Sequence, residues 1–281
     1  MKYVILLISS IVFSLNASAG IFDFFKGTFG AKNYLEYDFN GVAKLSNCSG
    51  ALFRFKSSVG EDKALVLTNG HCVKINSKLI EPNFYVSNLV NDREISLFDS
   101  NYEIRSFKAS RLVFATLSIS DIAIYELNRT YTELENFGID SFLLSDTPTL
   151  MGIAIDIPSG KWKQGFRCST EAEIEALKEG RWLFHSSIRY SDSGCNIFGG
   201  TSGAPVIASG SREIIAINNT YNSGRNDCSI NNPCELKDEG FVSFRKRGYA
   251  QQTYLLYDCF DFNNKFNIDN KECIFKNLTR I

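Results

Sequence analysis

Short apolar runs separated by turn residues recur along most of this chain, and they constrain its fold more than any other feature. Between residues 34 and 150 these runs are rich in Val, Ile, Phe and Tyr, and Gly, Asn, Asp or Ser separate them. Such runs at close spacing predict β-strands joined by tight turns. Similar runs continue to about residue 245 without a regular alternation of strands and helices. The pattern therefore predicts an all-β protein, built as an antiparallel sandwich or barrel.

Two stretches have the pattern of helices instead. Residues 169–180, STEAEIEALKEG, begin with Ser and Thr, carry acids in the first turn and end on a glycine, which are helix start and stop signals. A second helical stretch lies near the C-terminus, and a break at residues 144–149, LSDTPT, divides the strand-like runs. We therefore expect these segments in order: two halves at about 34–143 and 150–245, a C-terminal helix at about 247–259 and a tail at 260–281.

The first 19 residues are typical of a secretory signal peptide. Lys2 supplies a positive charge, an apolar run follows it, and residues 17–19 form a small-residue cleavage site. The apolar run is short for a membrane anchor and ends at a cleavage-type sequence, so we expect cleavage before Gly20. This predicts a secreted or periplasmic protein with no membrane attachment after signal removal. Residues 20–33 are then an N-terminal arm or a short propeptide.

Charge and cysteine content narrow the partners and the compartment. The chain has 30 Lys and Arg against 31 Asp and Glu, with no basic run. Binding to nucleic acid or to an anionic membrane needs a clustered positive surface, so neither partner is predicted. Eight cysteines in an exported chain predict disulfides, which persist outside the cytosol. Eight cysteines allow 105 pairings, so the number alone leaves the connectivity open.

Residues 196–207, NIFGGTSGAPVI, place Ser202 in a glycine-rich turn. Such turns are common, so a nucleophilic serine requires a base elsewhere in the chain. Of the two histidines, His71 follows a buried-type strand and a polar turn, whereas His185 lies inside an alternating strand. Asp121 opens an apolar run, where it can point inward and accept a hydrogen bond from His71. Taken alone, Asp121 is equally typical of a turn.

Cys72 directly follows His71 and can fix it through a disulfide. Cys48 is the partner that we expect, because a pair of neighbouring strands would bring the two cysteines together. Closing that loop would stabilise the fold by about 3–4 kcal/mol. A His–Cys metal site is the alternative, but no spaced Cys or His cluster accompanies it. We therefore predict no metal and no cofactor.

Three segments resemble motifs of the trypsin/chymotrypsin-like serine peptidases. CSGALF…VLTNGHCV at residues 48–73, DIAIYEL at 121–127 and GGTSGAPV at 199–206 occur in that family's His–Asp–Ser order. The serine motif is similar to that of bacterial members such as the glutamyl endopeptidases. The resemblance implies a chymotrypsin-like peptidase domain over about 34–259, with two packed antiparallel six-stranded β-barrels and a C-terminal helix.

The resemblance also implies a role for each matching residue. Ser202 is the expected nucleophile, His71 the general base and acid, and Asp121 the group that orients His71. The backbone N–H groups of Gly200 and Ser202 would form an oxyanion hole, because a glycine lets both amides turn toward one point. Such a donor stabilises a transition state by about 2.7–4 kcal/mol. The implied activity is a monomeric endopeptidase that cleaves protein or peptide substrates through an acyl-enzyme.

The sequence departs from the digestive members of that family before its serine. Thr201 stands where those enzymes have an Asp that captures a new N-terminal amine, and no Arg/Lys-Ile-Val-Gly-Gly activation site precedes the histidine motif. We infer that the chain has no zymogen switch of that type. Neither a basic nor an acidic side-chain preference is predicted for the pocket beside the serine. Position and resemblance assign four residues to that pocket: Asn196, Asn218, Asn219 and Thr220.

The remaining cysteines and the tail complete the sequence predictions. Proximity and the family likeness favour three further disulfides: Cys168–Cys195, Cys228–Cys234 and Cys259–Cys273. Residues 261–272 carry oxygen ligands at EF-hand offsets, but Lys265 occupies a ligand position and Phe266 stands where the sharp turn needs glycine. We therefore expect a disulfide-closed surface loop in place of a calcium site.

Two other functions use the same motifs. A non-catalytic binding protein on a peptidase scaffold is the main alternative, although such proteins usually lose one member of the triad and this chain retains all three. An esterase with the same triad is the other, and it differs from the endopeptidase only in its substrate.

Overall fold

The computed structural model describes residues 37–192, 194–225 and 227–281. The predicted signal peptide (1–19) and N-terminal arm (20–33) lie outside the described residues. Most of the first half is formed by seven strands: β1 (Val42–Lys44), β2 (Ser49–Arg54), β3 (Lys63–Thr68), β4 (Phe84–Val90), β5 (Glu94–Phe98), β6 (Ile104–Thr116) and β7 (Ile122–Thr130). A 3-10 helix (Gly70–Cys72) follows β3, and helix α1 (Tyr131–Glu135) follows β7.

Six of these strands close the first barrel. Around the barrel they follow the order β1–β2–β3–β7–β6–β5 and return to β1, and every neighbouring pair is antiparallel. The long strand β6 pairs with both β4 and β5, because those two strands lie one after the other along its length. This closure leaves the turn after β3 and the start of β7 side by side at one end of the barrel.

The second half contains ten strands and a second 3-10 helix (Tyr254–Cys259). The strands are β8 (Phe142–Leu144), β9 (Ala154–Ser159), β10 (Gln164–Glu179), β11 (Trp182–Tyr190), β12 (Pro205–Ala208), β13 (Glu213–Tyr221), β14 (Cys234–Lys237), β15 (Gly240–Ser243), β16 (Gly248–Gln252) and β17 (Thr279–Arg280). Six of them close a second antiparallel barrel in the order β9–β10–β11–β16–β13–β12. The predicted architecture of two six-stranded antiparallel barrels is confirmed.

Parallel pairings connect segments that are distant in sequence. Strand β8 pairs with β2 of the first barrel and with β13 of the second. Strand β17 pairs with β4, although the two are far apart along the chain. The hairpin of β14 and β15 continues the sheet from the end of β10. These pairings leave β10 as a long strand that serves both the second barrel and the hairpin.

The helix predicted at residues 169–180 is wrong, because this stretch lies within β10 and pairs with β11. Over residues 170–176 its side chains alternate between the barrel interior and solvent, with a period of two residues. The buried positions include Thr170, Ile174 and Ala176, and the exposed ones are Glu171, Glu173 and Glu175. Burial of the apolar face in the barrel therefore outweighs the helix propensity of the Ala and Glu residues.

The C-terminal helix predicted at about 247–259 is also wrong over its first half. Strand β16 occupies residues 248–252 and pairs with β11 on one side and β13 on the other. All five of its residues are buried, and without it both neighbours would have unpaired edges. The second barrel therefore extends beyond the predicted limit of residue 245. Only the 3-10 helix at Tyr254–Cys259 remains of the expected helix.

Four disulfides fasten loops to this framework, and they are the four pairings expected from the sequence: Cys48–Cys72, Cys168–Cys195, Cys228–Cys234 and Cys259–Cys273. The tail is a disulfide-closed loop that ends in β17. No helix among the described residues is both long and apolar enough to cross a membrane.

Candidate active site

The turn after β3 holds His71 in the 3-10 helix at Gly70–Cys72. Close packing requires a glycine just before the histidine, because a Cβ on Gly70 would lie 1.9 Å from the carbonyl oxygen of Thr116. The disulfide between Cys72 and Cys48 fixes the other side of the turn. The backbone at His71 is thus held by packing on one side and by a covalent bond on the other.

Asp121 precedes β7 and is buried, with 2% of its surface exposed. Its Oδ2 lies 2.6 Å from Nδ1 of His71, and its Oδ1 accepts the backbone N–H of His71 at 2.9 Å. The side-chain amide of Asn69 donates to the backbone carbonyl of Asp121 at 2.9 Å. Two contacts to one residue fix both the position and the tautomer of the imidazole, so Nε2 is the ring nitrogen left for chemistry.

The surroundings of His71 favour its charged form. Burial alone would lower the pKa of His71, but the negative charge and hydrogen bond of Asp121 and the charge of Glu179 together raise it above the usual value of 6.5. An imidazole with a raised pKa is a stronger proton acceptor when it is neutral. The cluster therefore suits a residue that must take up a proton and hold it briefly.

Ser202 lies in the loop between Cys195 and β12. The backbone N–H of Thr201 donates to the carbonyl of Phe198 at 3.0 Å, which closes a tight turn just before the serine. The carbonyl of Ser202 accepts the N–H of Ser49 at 2.8 Å and so ties the loop to the first barrel. Its Oγ donates to the carbonyl of Asn219 at 3.2 Å. Within the described residues no hydrogen bond joins Ser202 to His71.

Two glycines let this loop turn beside the serine. Gly200 has a φ of +91° and Gly203 a φ of +80°, both in the region that favours glycine. A Cβ on Gly203 would lie 2.3 Å from the carbonyl oxygen of Ser49. The N–H groups of Gly200 and Ser202, the two expected oxyanion donors, have no hydrogen-bond partner in the described part of the chain. Neither donor is therefore occupied by an acceptor in that part of the chain.

Two cavities meet at Ser202. One, of about 300 Å³, has both His71 and Asp121 in its wall; the other, of about 380 Å³, lies along the serine loop. Besides Ser202, the residues common to both are Asn219, Thr220 and Asn231. The remaining lining of the first cavity is mostly apolar: Leu79, Leu117, Trp182, Phe184 and Ile230, together with Glu179. A peptide that lies across Ser202 therefore has room for a side chain in each cavity.

Of the four expected pocket residues, only Asn219 and Thr220 line these cavities. Asn196 is exposed and lines neither. Asn218 is buried behind the serine loop, where its side chain donates to Oγ1 of Thr201 at 3.0 Å and accepts from the hydroxyl of Tyr190 at 3.1 Å. Two of the four expected residues, Asn196 and Asn218, therefore lie outside the cavities. Asn218 instead supports the serine loop from behind.

Glu179 is the residue of this site that the sequence analysis missed. It ends β10, is about nine-tenths buried and lies in the wall of the first cavity. Its Oε1 accepts the backbone N–H of Asn231 at 2.6 Å. Burial raises the pKa of Glu179, although that hydrogen bond and the nearby His71 act in the opposite direction. The alternation along residues 170–176 was the signal that would have placed Glu179 on a strand.

Disulfide bonding removes the one possible metal cluster among the described residues. Cys48, His71 and Cys72 have ligand atoms within 4.8 Å of one another. Both sulfur atoms are joined in the Cys48–Cys72 disulfide, and metal binding by cysteine uses the thiolate. The cluster therefore serves to position His71 and has no free thiolate for a metal.

No protein-family model and no curated protein matches the sequence. Among solved structures, the chain is similar to the MamO protease domain from Magnetospirillum magneticum, with 16% identity over 78% of this chain and 94% of that one, and a TM-score of 0.47. It is similar to a Glu endopeptidase, with 14% identity over 77% of this chain and 86% of that one, at 0.46.

Human heparin binding protein is a third similar structure, with 10% identity over 79% of this chain and 89% of that one, and a TM-score of 0.48. All these TM-scores lie below 0.5, so the assignments below rest on this chain's own residues and geometry. Solved serine protease structures are thus among those to which the fold of this chain is similar.

Proposed function

We propose that this protein is an exported serine endopeptidase that hydrolyses peptide bonds through an acyl-enzyme. Ser202 is the nucleophile, His71 the general base and acid, and Asp121 the residue that orients His71. One observation carries the proposal. The paired His71 and Asp121 line the same cavity as Ser202, a serine held in a glycine-rich turn.

Acylation uses the proton that His71 can accept. Nε2 of His71 takes the hydroxyl proton of Ser202 while Oγ forms a bond to the carbonyl carbon of the substrate. The imidazolium, stabilised by Asp121, then gives this proton to the leaving amine as the carbon–nitrogen bond breaks. Ser202 donates to Asn219 in the free protein, so its hydroxyl must rotate when substrate binds; catalytic hydrogen bonds often form only in the complex.

Deacylation repeats the same transfer with water. His71 takes a proton from a water molecule as the water oxygen bonds to the acyl carbon. The imidazolium then returns this proton to Oγ of Ser202 as the bond between Oγ and the acyl carbon breaks and the acid product leaves. In both steps the N–H groups of Gly200 and Ser202 donate to the developing oxyanion. Their lack of other partners among the described residues supports this role, because donors that are already oriented cost no reorganisation during the reaction.

The disulfides support a location outside the cytosol. Four disulfides within one chain persist where the surroundings are oxidising. We therefore propose that the enzyme acts on protein or peptide substrates in the periplasm or outside the cell, as a monomer.

A comparison with the Ser202→Ala variant tests the proposal. The purified protein should bind a fluorescent fluorophosphonate covalently and cleave casein, and Ser202→Ala should lose labelling and about 10⁶-fold in kcat. Ser209→Ala is the matched control, because Ser209 is an exposed serine beyond β12. If folded wild-type protein neither labels nor cleaves casein, the protein is either a latent precursor or the non-catalytic binding protein. If it labels and hydrolyses esters but no protein, the esterase is correct.

A further inference from the structure

Six carboxylate side chains are buried within the described residues, and five of them have a basic partner. The pairs are Asp99–Arg105, Asp121–His71, Glu126–Arg111, Asp156–Arg167 and Glu235–Arg189, with distances of 2.6 to 3.0 Å. The sixth is Glu179, which has no Lys, Arg or His within ion-pair distance in the described part of the chain. A buried carboxylate without a cation is costly, so this exception calls for a reason.

The arginine nearest in sequence is engaged elsewhere. Arg181 follows Glu179 by two residues, but its guanidinium pairs with Glu81 at 2.5 Å and lies over the ring of Trp182. Glu179 instead faces the first cavity, where the backbone N–H of Asn231 and the side chain of Thr220 hydrogen-bond to it. His71 lines the same cavity and interacts with the charge of Glu179, but it lies beyond ion-pair distance.

Other unpaired polar atoms line the same cavity. Both polar side-chain atoms of Asn219, Oδ1 and Nδ2, are buried without a hydrogen-bond partner among the described residues. Native proteins leave few such atoms unpaired.

The remaining walls suit the aliphatic part of a long side chain. Leu79, Leu117, Trp182, Phe184 and Ile230 give the cavity wall a mostly apolar surface, and the cavity volume of about 300 Å³ is large enough for one side chain. Lysine and arginine combine an apolar stem with a cationic head. A purely apolar side chain would fill the same space but would leave Glu179 buried without a counter-charge, and an acidic one would be repelled.

We propose that this first cavity, called here the acidic cavity, binds a lysine or arginine side chain of the substrate close to the scissile bond, with Glu179 as its counter-charge. The inference rests on the proposed endopeptidase function and names its substrate class. It concerns the cavity beside His71, and it is separate from the pocket along the serine loop. A cation at this place also stabilises the ionised form of Glu179, which burial disfavours.

Cleavage sites test the inference directly. Wild-type protein is incubated with denatured proteins, the cleaved bonds are identified by mass spectrometry, and the best sequence is remade with lysine or its neutral isostere norleucine at each flanking position. One position should show a preference for lysine of at least about tenfold in kcat/KM. Glu179→Gln should lose this preference and still cleave the norleucine peptide. Absence of a lysine or arginine preference in wild type, or its survival in Glu179→Gln, would overturn the inference.

Glu175→Gln is the matched control for that experiment. Glu175 lies on the same strand, β10, but is exposed and outside both cavities. This variant should retain the lysine preference of wild type, which separates loss of the cavity carboxylate from loss of any negative charge on β10. An equal loss of preference in Glu175→Gln would overturn the inference, because it would show a long-range charge effect.

A binding experiment separates this inference from the proposed function. Nα-acetyl-lysine methylamide and its norleucine counterpart are titrated into Ser202→Ala by calorimetry, so that no catalysis is required. The lysine probe should bind at least about tenfold more tightly, and Glu179→Gln in the same background should remove the difference. Equal affinities would overturn the inference even when wild type labels with the fluorophosphonate. A lysine preference without labelling would support the cavity and reject the peptidase.

Discussion

The two barrels have the same pattern of closure, but each contributes a different kind of carboxylate to the cavity beside Ser202. In the first barrel, Asp121 has both oxygens bonded to His71. In the second, Glu179 accepts one backbone hydrogen bond, and among the described residues no Lys, Arg or His lies within ion-pair distance of it. Both are buried and both line one cavity. Asp121 therefore has its cationic partner in the free protein, whereas the proposed partner of Glu179 arrives with the substrate.

This difference separates two tasks within one site. A group that orients a catalytic base must be the same for every substrate, so its partners belong to the protein itself. A group that selects substrates stays desolvated and unpaired unless the correct partner binds. This cost disfavours the binding of other substrates. The partners of each carboxylate therefore predict which property is lost when it is substituted: the turnover rate for Asp121 and the substrate preference for Glu179.

The largest effect on kcat is expected from neutralising Asp121, the carboxylate that pairs with His71. In Asp121→Asn the amide can no longer accept both hydrogen bonds from His71, and the imidazole loses the anion that stabilises its charged form. We expect kcat to fall about 10⁴-fold while KM changes little, measured by steady-state hydrolysis of one peptide. Asp92→Asn, an exposed position of the same barrel, should retain wild-type kcat. A loss of less than tenfold in Asp121→Asn would show that the pair is not catalytic.

A smaller effect is expected from loosening the turn that carries His71. Replacing Cys48 and Cys72 by Ser opens a loop with a sequence separation of 24, and replacing Cys259 and Cys273 opens one of 14. Each change should lower the free energy of unfolding by about 3 kcal/mol in urea titrations. Only the first should also reduce kcat, by about tenfold or more, because it alone frees the backbone at His71. Equal kcat values for both variants would contradict this.

The smallest effect is expected in the pH profile of Glu179→Gln with a norleucine peptide. His71 acts as a base in its neutral form, so kcat/KM should rise with pH through the pKa of His71, which lies above 6.5 in the wild type. The charge of Glu179 contributes to raising that pKa. Removing it lowers the pKa of His71, and the rise should move to lower pH. A shift to higher pH would contradict the charge coupling between the two residues.

The motif positions were predictable from sequence because each has a local cause. His71 follows a buried strand, Asp121 opens another, and Ser202 lies between glycines whose φ values are positive on both sides of it. Closing a barrel through β3 and β7 brings the first two together, and the cysteine beside the histidine points to the disulfide. None of these inferences requires knowledge of which residues line the cavity.

A binding role for Glu179 could not be predicted from the sequence, because the role is inferred from the lack of a cation within ion-pair distance. The acids and alanines of residues 171–176 favour a helix in isolation, and the following Gly180 is a typical helix end. In the barrel, the same residues alternate between interior and solvent, and Gly180 turns the chain into β11 with a φ of +59°. Absence of a cation is a property of the assembled structure, so the sequence alone carries no signal for it.

The parallel pairing of β17 with β4 has a consequence for folding. The edge of β4 opposite β6 is covered by residues 279–281, and the guanidinium of Arg280 reaches the carbonyl of Ser87, 193 residues earlier, at 2.8 Å. An uncovered edge can pair with strands of other molecules. Until residues 279–281 pair with β4, this edge of the first barrel stays open, so the last residues of the chain protect the fold from pairing with strands of other molecules.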